Sequence, residues 1–454
     1  MIFHNLIRLL IFTFLFAGCN STYITVKNAG STSGGNEVTE SYPEALGELE
    51  TSFNLTGFVE VSWTKGNVWP TPKVTTVQSD GKVVVAGQGA SSRSIIIRRL
   101  NNDGSIDTTF NSGGDIPGVV SIPAPSNHQY DIRDINIQLI SSQEKIIILI
   151  GSWDLNTNAS GNVLVRLNSD GSLDTSFGTA GSITFSHDLT QEISPVALSI
   201  QSDKKILVAS SSWLSPNQSI VVSRRLIDGQ VDTSFNGTGH YAASFDSGTA
   251  VPMDMDVDSS GRIIVVGSGQ NYKSIFALRL SSLGTLDTNG FNPPDGFISD
   301  IVGNDAGAPA VKIGKGNKIY LAGWADNSNI VAAYDANGEA DLSFNQTGKR
   351  IFRLNYSTSG EWILSLGLQS DGKLFVVSNP YISERANVAL TRLSQDGSTD
   401  TSFNSQGSDP GTYTSNYNGN DLFAAKMITT PDNKLYLTGY PVTATQKIVI
   451  AKIK

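Results

Sequence analysis

The sequence predicts an all-β fold, a seven-bladed β-propeller with four antiparallel strands per blade and an N-terminal strand closing the last blade. Three observations carry that prediction. A five-residue phrase recurs seven times, with its second position at Glu50, Asp107, Asp174, Asp232, Asp287, Asp341 and Asp400, so that copies lie 54 to 67 residues apart. Each interval holds about four short apolar runs separated by Asp-Gly and Gly-Lys turns, the pattern of antiparallel hairpins. No stretch after residue 20 shows a 3.6-residue apolar period, so helices are expected to be few. A fixed period of this length means one supersecondary unit used repeatedly.

The repeated phrase reads Leu173-Asp174-Thr175-Ser176-Phe177 in its cleanest form. Looser copies are Leu286 to Phe291, with one extra residue, and Ala340 to Phe344, without the Thr. Two further phrases keep the same beat. One is a turn followed by an apolar run, as in Gln78-Ser79-Asp80-Gly81-Lys82 before Val83. The other is an apolar strand ending in a basic or polar residue and Leu, as in Ile95 to Leu100. We place the inner strand of each blade before the Ser-Asp-Gly-Lys turn. The first strand, Gly57 to Trp63, then becomes the outer strand of the last blade, paired with the final strand, Ile448 to Ile453. Closing the ring leaves no open sheet edge to aggregate. An open solenoid is the alternative, but it needs polar capping repeats, and none is visible.

The string Leu167-Asn168-Ser169-Asp170-Gly171-Ser172-Leu173-Asp174-Thr175-Ser176-Phe177, together with Gln78-Ser79-Asp80-Gly81-Lys82, resembles the bacterial delta-60 repeat. The likeness extends over about 400 residues. It implies a β-propeller and no defined activity.

The chain divides into residues 1–18, read as a lipoprotein signal peptide, residues 19–48, read as a Ser/Gly/Asn-rich tether, and the propeller over 49–454. Arg8 precedes an apolar run from Leu9 to Phe16, too short for a membrane span of about 20 residues. Ala17-Gly18-Cys19 resembles a lipoprotein cleavage site, with Phe16 where Leu is usual. Cys19 would then be acylated and attach the protein to the membrane of a bacterial envelope, outside the cytoplasm. Cys19 is the only cysteine, so no intrachain disulfide or thiol chemistry is expected in the ring.

Net charge is −9, and charged residues make up 16% of the chain. With no basic stripe to neutralise phosphates, nucleic acid is not an expected partner. The repeated Asp has two readings. Clustered carboxylates suit calcium, whereas a single Asp accepting an N–H two residues on is ordinary turn chemistry. The spacing lacks further carboxylates, so turn chemistry is the reading, and no metal or cofactor is expected. The Phe that closes each phrase is read as packing between blades.

Candidate chemistry is sparse. His128, His187 and His240 fall in separate repeats without ligand spacing, and no nucleophile elbow, phosphate loop or zinc motif is present. A non-enzymatic protein is therefore expected, with Asp131, Glu192 and Glu361 as the acids an envelope glycan hydrolase or lyase would use at the channel top. A structural envelope component is a further alternative. The aromatic residues suggest a binding face. Trp153, Trp213 and Trp324 fall between second and third strands, and Trp63, Trp69 and Trp362 lie near the links from outer to inner strands. Tyr272, Tyr381 and Tyr440 join the first group, and Tyr130 and Tyr356 the second. Both kinds of loop open on one face, where irregular aromatic loops favour recognition. The expected partner is an envelope or extracellular protein or glycan, bound by a monomer. Indoles wedged between blades are the competing reading for Trp153, Trp213 and Trp324.

Overall fold

A computed structural model describes residues 52–53, 58–62, 72–89, 93–186, 193–214, 217–244, 249–354, 357, 361–382, 385–415, 421–441 and 447–453. It contains seven four-stranded antiparallel sheets. Among the described residues, the one helical element is a single 3₁₀ turn, Lys315–Asn317. No helix there is long and apolar enough to cross a membrane.

The inner strands, in blade order, are Pro72–Val77, His128–Ile140, Ile193–Ile200, Val251–Val257, Ala306–Ile313, Ile363–Leu368 and Leu422–Thr429. Each packs against the inner strands on both sides, and the first meets the last, so the units form a closed ring. The closing blade is completed from the N-terminal side. Phe58–Ser62 pairs antiparallel with Lys447–Ile453, in a register that puts Phe58 opposite Ala451 and Ser62 opposite Lys447. The pairing anticipated for Gly57–Trp63 is thus present.

The core is divided into clusters between adjacent sheets. Ile146, Ile148 and Ile150 of blade 2 pack with Val84, Ala86 and Ile97 of blade 1. Alternate residues, Ile147 and Leu149, pack with Leu198 and Val208 of blade 3. Both faces of a middle strand are therefore buried, which is why these strands read as unbroken apolar runs rather than alternating ones.

The repeated phrase forms the joint between blades. Phe110, Phe177, Phe235, Phe291 and Phe344 are buried beneath the turn glycines Gly171, Gly229, Gly284, Gly338 and Gly397 of the following blade. Above each of the first four rings lies a guanidinium, with Arg166 4.5 Å from the centre of Phe177. The same arginine bonds Asp174 through Nε at 2.8 Å and donates to the carbonyl of Ile227 in the next blade. Arg99, Arg224 and Arg279 repeat this arrangement. Blade 5 has Ala333 at the equivalent place, and Arg350 from its outer strand reaches Gly397 instead. Asp-Thr-Ser-Phe and Asp-Gly are thus two halves of one inter-blade contact.

Each inner strand also carries an irregularity in register. The residues bulged out are Lys73, Arg133, Val196, Met253, the pair Ala308 and Pro309, Leu364 and Ala425. Bulges of this kind re-aim a side chain.

Candidate functional site

The links from outer to inner strand and the hairpins joining second to third strands open on one end of the ring. The Ser-Asp-Gly-Lys turns and the Asp-Thr-Ser-Phe joints occupy the other. On blade 2, His128–Ile140 and Gln143–Asp154 continue pairing toward this end as far as His128 and Asp154, and Ile206–Leu214 of blade 3 continues in the same way. The blade 2 pairing places Gln129 opposite Trp153 and Asp131 opposite Gly151, while Trp153 also faces Ser160 on the third strand.

A cleft of about 420 Å³ opens here, lined by Trp153, Asp131, Arg133, Gly151, Ser160 and Pro195 among others. Gly151 supplies its floor. A Cβ at that position would lie 3.5 Å from both Arg133 Nε and the Pro195 ring. Asp131 is held between two cations: Lys73 of blade 1 bonds Oδ1, and Arg133 lies 3.0 Å from Oδ2. Ser160 Oγ accepts the Ile193 N–H at 2.8 Å, and Gln88 donates to the Tyr130 carbonyl at 2.7 Å. These bonds tie blades 1 and 3 to the walls of blade 2.

Below the cleft, the channel carries a second charged group. Lys426 of blade 7 reaches past blade 1 to bond Asp134 of blade 2. Asp134 Oδ2 accepts the Leu198 N–H of blade 3 at 3.0 Å, and Asp254 Oδ2 accepts the Val311 N–H of blade 5 at 2.9 Å. Burial pushes the Asp254 carboxyl upward, against the pull of Lys312 and Lys426. Burial lowers Lys426, but Asp134 and Asp254 outweigh it and hold the ammonium above its ordinary value. Each carboxylate caps a neighbouring strand's backbone, which gives both a structural role.

The aromatic residues are distributed less simply than their spacing suggested. Trp153, Trp213 and Trp324 lie within strands (Gln143–Asp154, Ile206–Leu214 and Ile319–Ala325), not in the loops beyond them. Trp324 is half-buried. Its Nε1 donates to Asp305 at 3.1 Å, and its ring lies against Gly307. Trp362 is 41% exposed and Tyr272 44% exposed. Tyr381 sits in a two-stranded ribbon with Ala386, and Tyr440 stacks on Phe423 at 5.7 Å. Tyr130 is buried. Trp63, Trp69 and Tyr356 lie outside the described residues, as do Cys19, His187 and Glu192. Trp153 lines the cleft; Trp324, Trp362, Tyr272, Tyr381 and Tyr440 are on other blades.

Two of the candidate acids therefore part company. Asp131 is in the cleft. Glu361 is buried away from it, accepting the Leu354 N–H at 3.0 Å and a bond from Asn329. Burial raises its carboxyl, and its bonds hold the link between blades 5 and 6. His128 is half-buried at the start of its strand, and His240 belongs to the outer strand of blade 3.

The repeated Asp side chains face cations. In Asp107, Oδ1 accepts the Thr109 N–H at 3.0 Å, and Oδ2 meets Arg99 at 2.7 Å and Lys82 at 3.1 Å. Two cations on one oxygen repel calcium. Among the described residues, no group of three His, Cys, Asp or Glu side chains is placed to hold a metal.

Comparison with known proteins supports the architecture. No curated protein matches the sequence. A crystal structure of catalytically inactive virginiamycin B lyase from Staphylococcus aureus with quinupristin is similar in fold, at 12% identity and a TM-score of 0.48 over 87% of this chain and 98% of that one. A crystal structure of polysaccharide lyase Uly1 is similar at 12% identity and a TM-score of 0.41, covering 87% and 92%. Both are lyases, which corrects the expectation of a non-enzymatic chain: propellers house catalysis in other proteins, so the fold and the missing motifs exclude nothing. Likeness at this distance assigns no activity. Residues 78–110, 147–177, 201–235 and 369–403 match the family described as domain of unknown function (DUF5122) beta-propeller. With seven four-stranded sheets in a closed ring, this chain is a seven-bladed β-propeller, and these four segments are similar to that repeat.

Proposed function

We propose that this propeller recognises a glycan at the cleft of blade 2, on the end of the ring where the irregular loops open. The observation that carries the reading is Trp153 beside Gln129, Ser160 and Asp131 in one concave site. An indole face stacks on a sugar ring, and amide, hydroxyl and carboxylate groups bond its hydroxyls. The cleft's volume falls within the range of small-ligand sites. A protein partner needs about 800 Å² of contact on each side, and the aromatic residues are too dispersed to form one such patch. Trp324 and Tyr440, engaged with Asp305 and Phe423, serve as supports.

The delta-60 resemblance and the Ala-Gly-Cys segment extend the reading. An acylated Cys19 would hold the ring outside the cytoplasmic membrane, facing envelope or extracellular glycans. Incorporation of labelled palmitate in wild type and its loss in Cys19→Ser would support the anchor.

The test of the cleft is a glycan array followed by calorimetry. Trp153→Ala should weaken binding by ~1–3 kcal/mol, the scale of an aromatic stacking contact, with the melting temperature kept. Product analysis on the same samples reads whether the bound glycan is also cleaved. Unchanged affinity in Trp153→Ala would remove the proposal.

A further inference from the structure

Resting on that reading of the cleft, we infer that its ligand is an acidic saccharide, with a sugar carboxylate bound by Arg133 and Lys73. The bulged position of the inner strands is the basis. Five blades place Val196, Met253, Ala308 and Pro309, Leu364 and Ala425 there, all apolar. Val196 and Leu364 pack against the following blade's core, and Met253 Cε lies 3.2 Å from a Cβ built at Gly307. The ring therefore needs only an apolar side chain at this place. Blades 1 and 2 carry cations instead: Arg133 lines the cleft, and Lys73 is joined to it through their shared partner Asp131.

These cations are only partly neutralised. Asp131 is the one anion paired with either, among the described residues. The Lys73 and Arg133 side chains are 37% and 39% exposed, so both are accessible to a ligand at Asp131. The guanidinium spends one nitrogen on Asp131, and its Nε borders the floor at Gly151. A planar fork of this kind suits a carboxylate. The cleft is thus a cationic spot on a chain whose net charge is −9, which focuses anions at one place on a surface that otherwise repels them. Trp153 stands on the same wall, so that a sugar can stack while its carboxylate meets the cations.

The experiment is an array of uronate-containing oligosaccharides, each printed beside its carboxyl-reduced neutral counterpart, probed with the full chain. We expect the acidic member of at least one pair to bind about ten-fold or more tightly than its reduced form. That preference should fall with added salt and disappear in the Lys73→Gln/Arg133→Gln double variant, with stacking binding retained. Sulfated neutral oligosaccharides separate carboxylate recognition from general anion binding; an equal response to both overturns the carboxylate assignment. If wild type binds both members of every pair equally and Trp153→Ala abolishes that binding, the acidic inference fails while the glycan site stands. If Trp153→Ala changes nothing, or no glycan binds, both fail. A double variant that unfolds is replaced by Arg133→Lys, which keeps the charge and loses the fork: retained acid preference with weakened affinity supports the inference, and unchanged affinity counts against it.

Discussion

Replacing Arg166 by Met is the sharpest test of how the ring is held together. The side chain is 4% exposed. Its Nε bonds Asp174 at 2.8 Å, Nη1 bonds Gln138 at 3.1 Å and the Ile227 carbonyl, and Nη2 lies 3.3 Å from Ser176. Methionine keeps much of the stem's packing on Phe177 but removes the charge and every donor. Breaking a buried ion pair by removing one partner costs about 3–5 kcal/mol, because the other charge is left unpaired. Here Lys145 remains 3.4 Å from Asp174, so the loss belongs near the lower end, about 3 kcal/mol. Urea unfolding of the two proteins, with the slope of the transition unchanged, reads this as a lowered midpoint. Adding Asp174→Leu to Arg166→Met should restore much of the loss, since two apolar residues leave no orphaned charge. A single variant within about 0.5 kcal/mol of wild type would refute the claim that Arg166, paired with Asp174 and bonded to Ile227, holds the joint between blades 2 and 3.

The remaining predictions concern pH, turn geometry and closure. In Asp107, burial raises the carboxyl, but Thr109, Lys82 and Arg99 outweigh it and bring it to about 2. In Asp232, burial is likewise overcome by Ser234, Lys205 and Arg224, again to about 2. A folded-state pKa below the ordinary 3.8 stabilises the fold above that value, and this contribution is lost as pH falls toward 2. Asp232→Asn should flatten the loss of stability over that window, as read by melting temperature at a series of pH values. Gly229 has φ +93°, and a Cβ there would lie 2.9 Å from the Phe177 ring; Gly229→Ala should destabilise by ~1–3 kcal/mol in chemical unfolding. Val59 is buried against Ile450 and Val83 in the closing blade. Val59→Asp should expose the edge of Lys447–Ile453 and produce aggregates by light scattering, whereas Val59→Ile should remain monodisperse.

The ring was legible because the residues that repeat are those that touch the next blade. Phe177, Arg166, Asp174 and Gly229 belong to one contact, and the Phe–Gly part of it recurs at five joints among the described residues, which keeps the phrases alike. The cleft was obscure because it depends on departures from the repeat. Trp153 was visible in the sequence beside Trp213 and Trp324, but its place in a cleft follows from its pairing with Gln129 and Ser160, which the repeat does not encode. Glu361 resembled a candidate acid until its bonds to the Leu354 N–H and Asn329 placed it inside a link. Lys73 and Arg133 were overlooked, although a signal existed for Lys73. Six of the bulged positions, Lys73, Val196, Met253, Pro309, Leu364 and Ala425, lie five residues before their turn phrase, whereas Arg133 lies ten before Gln143 and joins them only through the strand register. Only Lys73 and Arg133 among these are charged, and they are neighbours in the ring.

The antiparallel register of the last ladder also sets how the molecule bears load. Phe58 and Ala451 lie at the same end of that ladder, so a pull separating the two chain ends opens its rungs one after another, as in a zipper, instead of shearing them together. Such a geometry yields at low force. The closing strand is the mechanical fuse of the molecule, and tension applied from the N-terminal side would release it before any blade is disturbed.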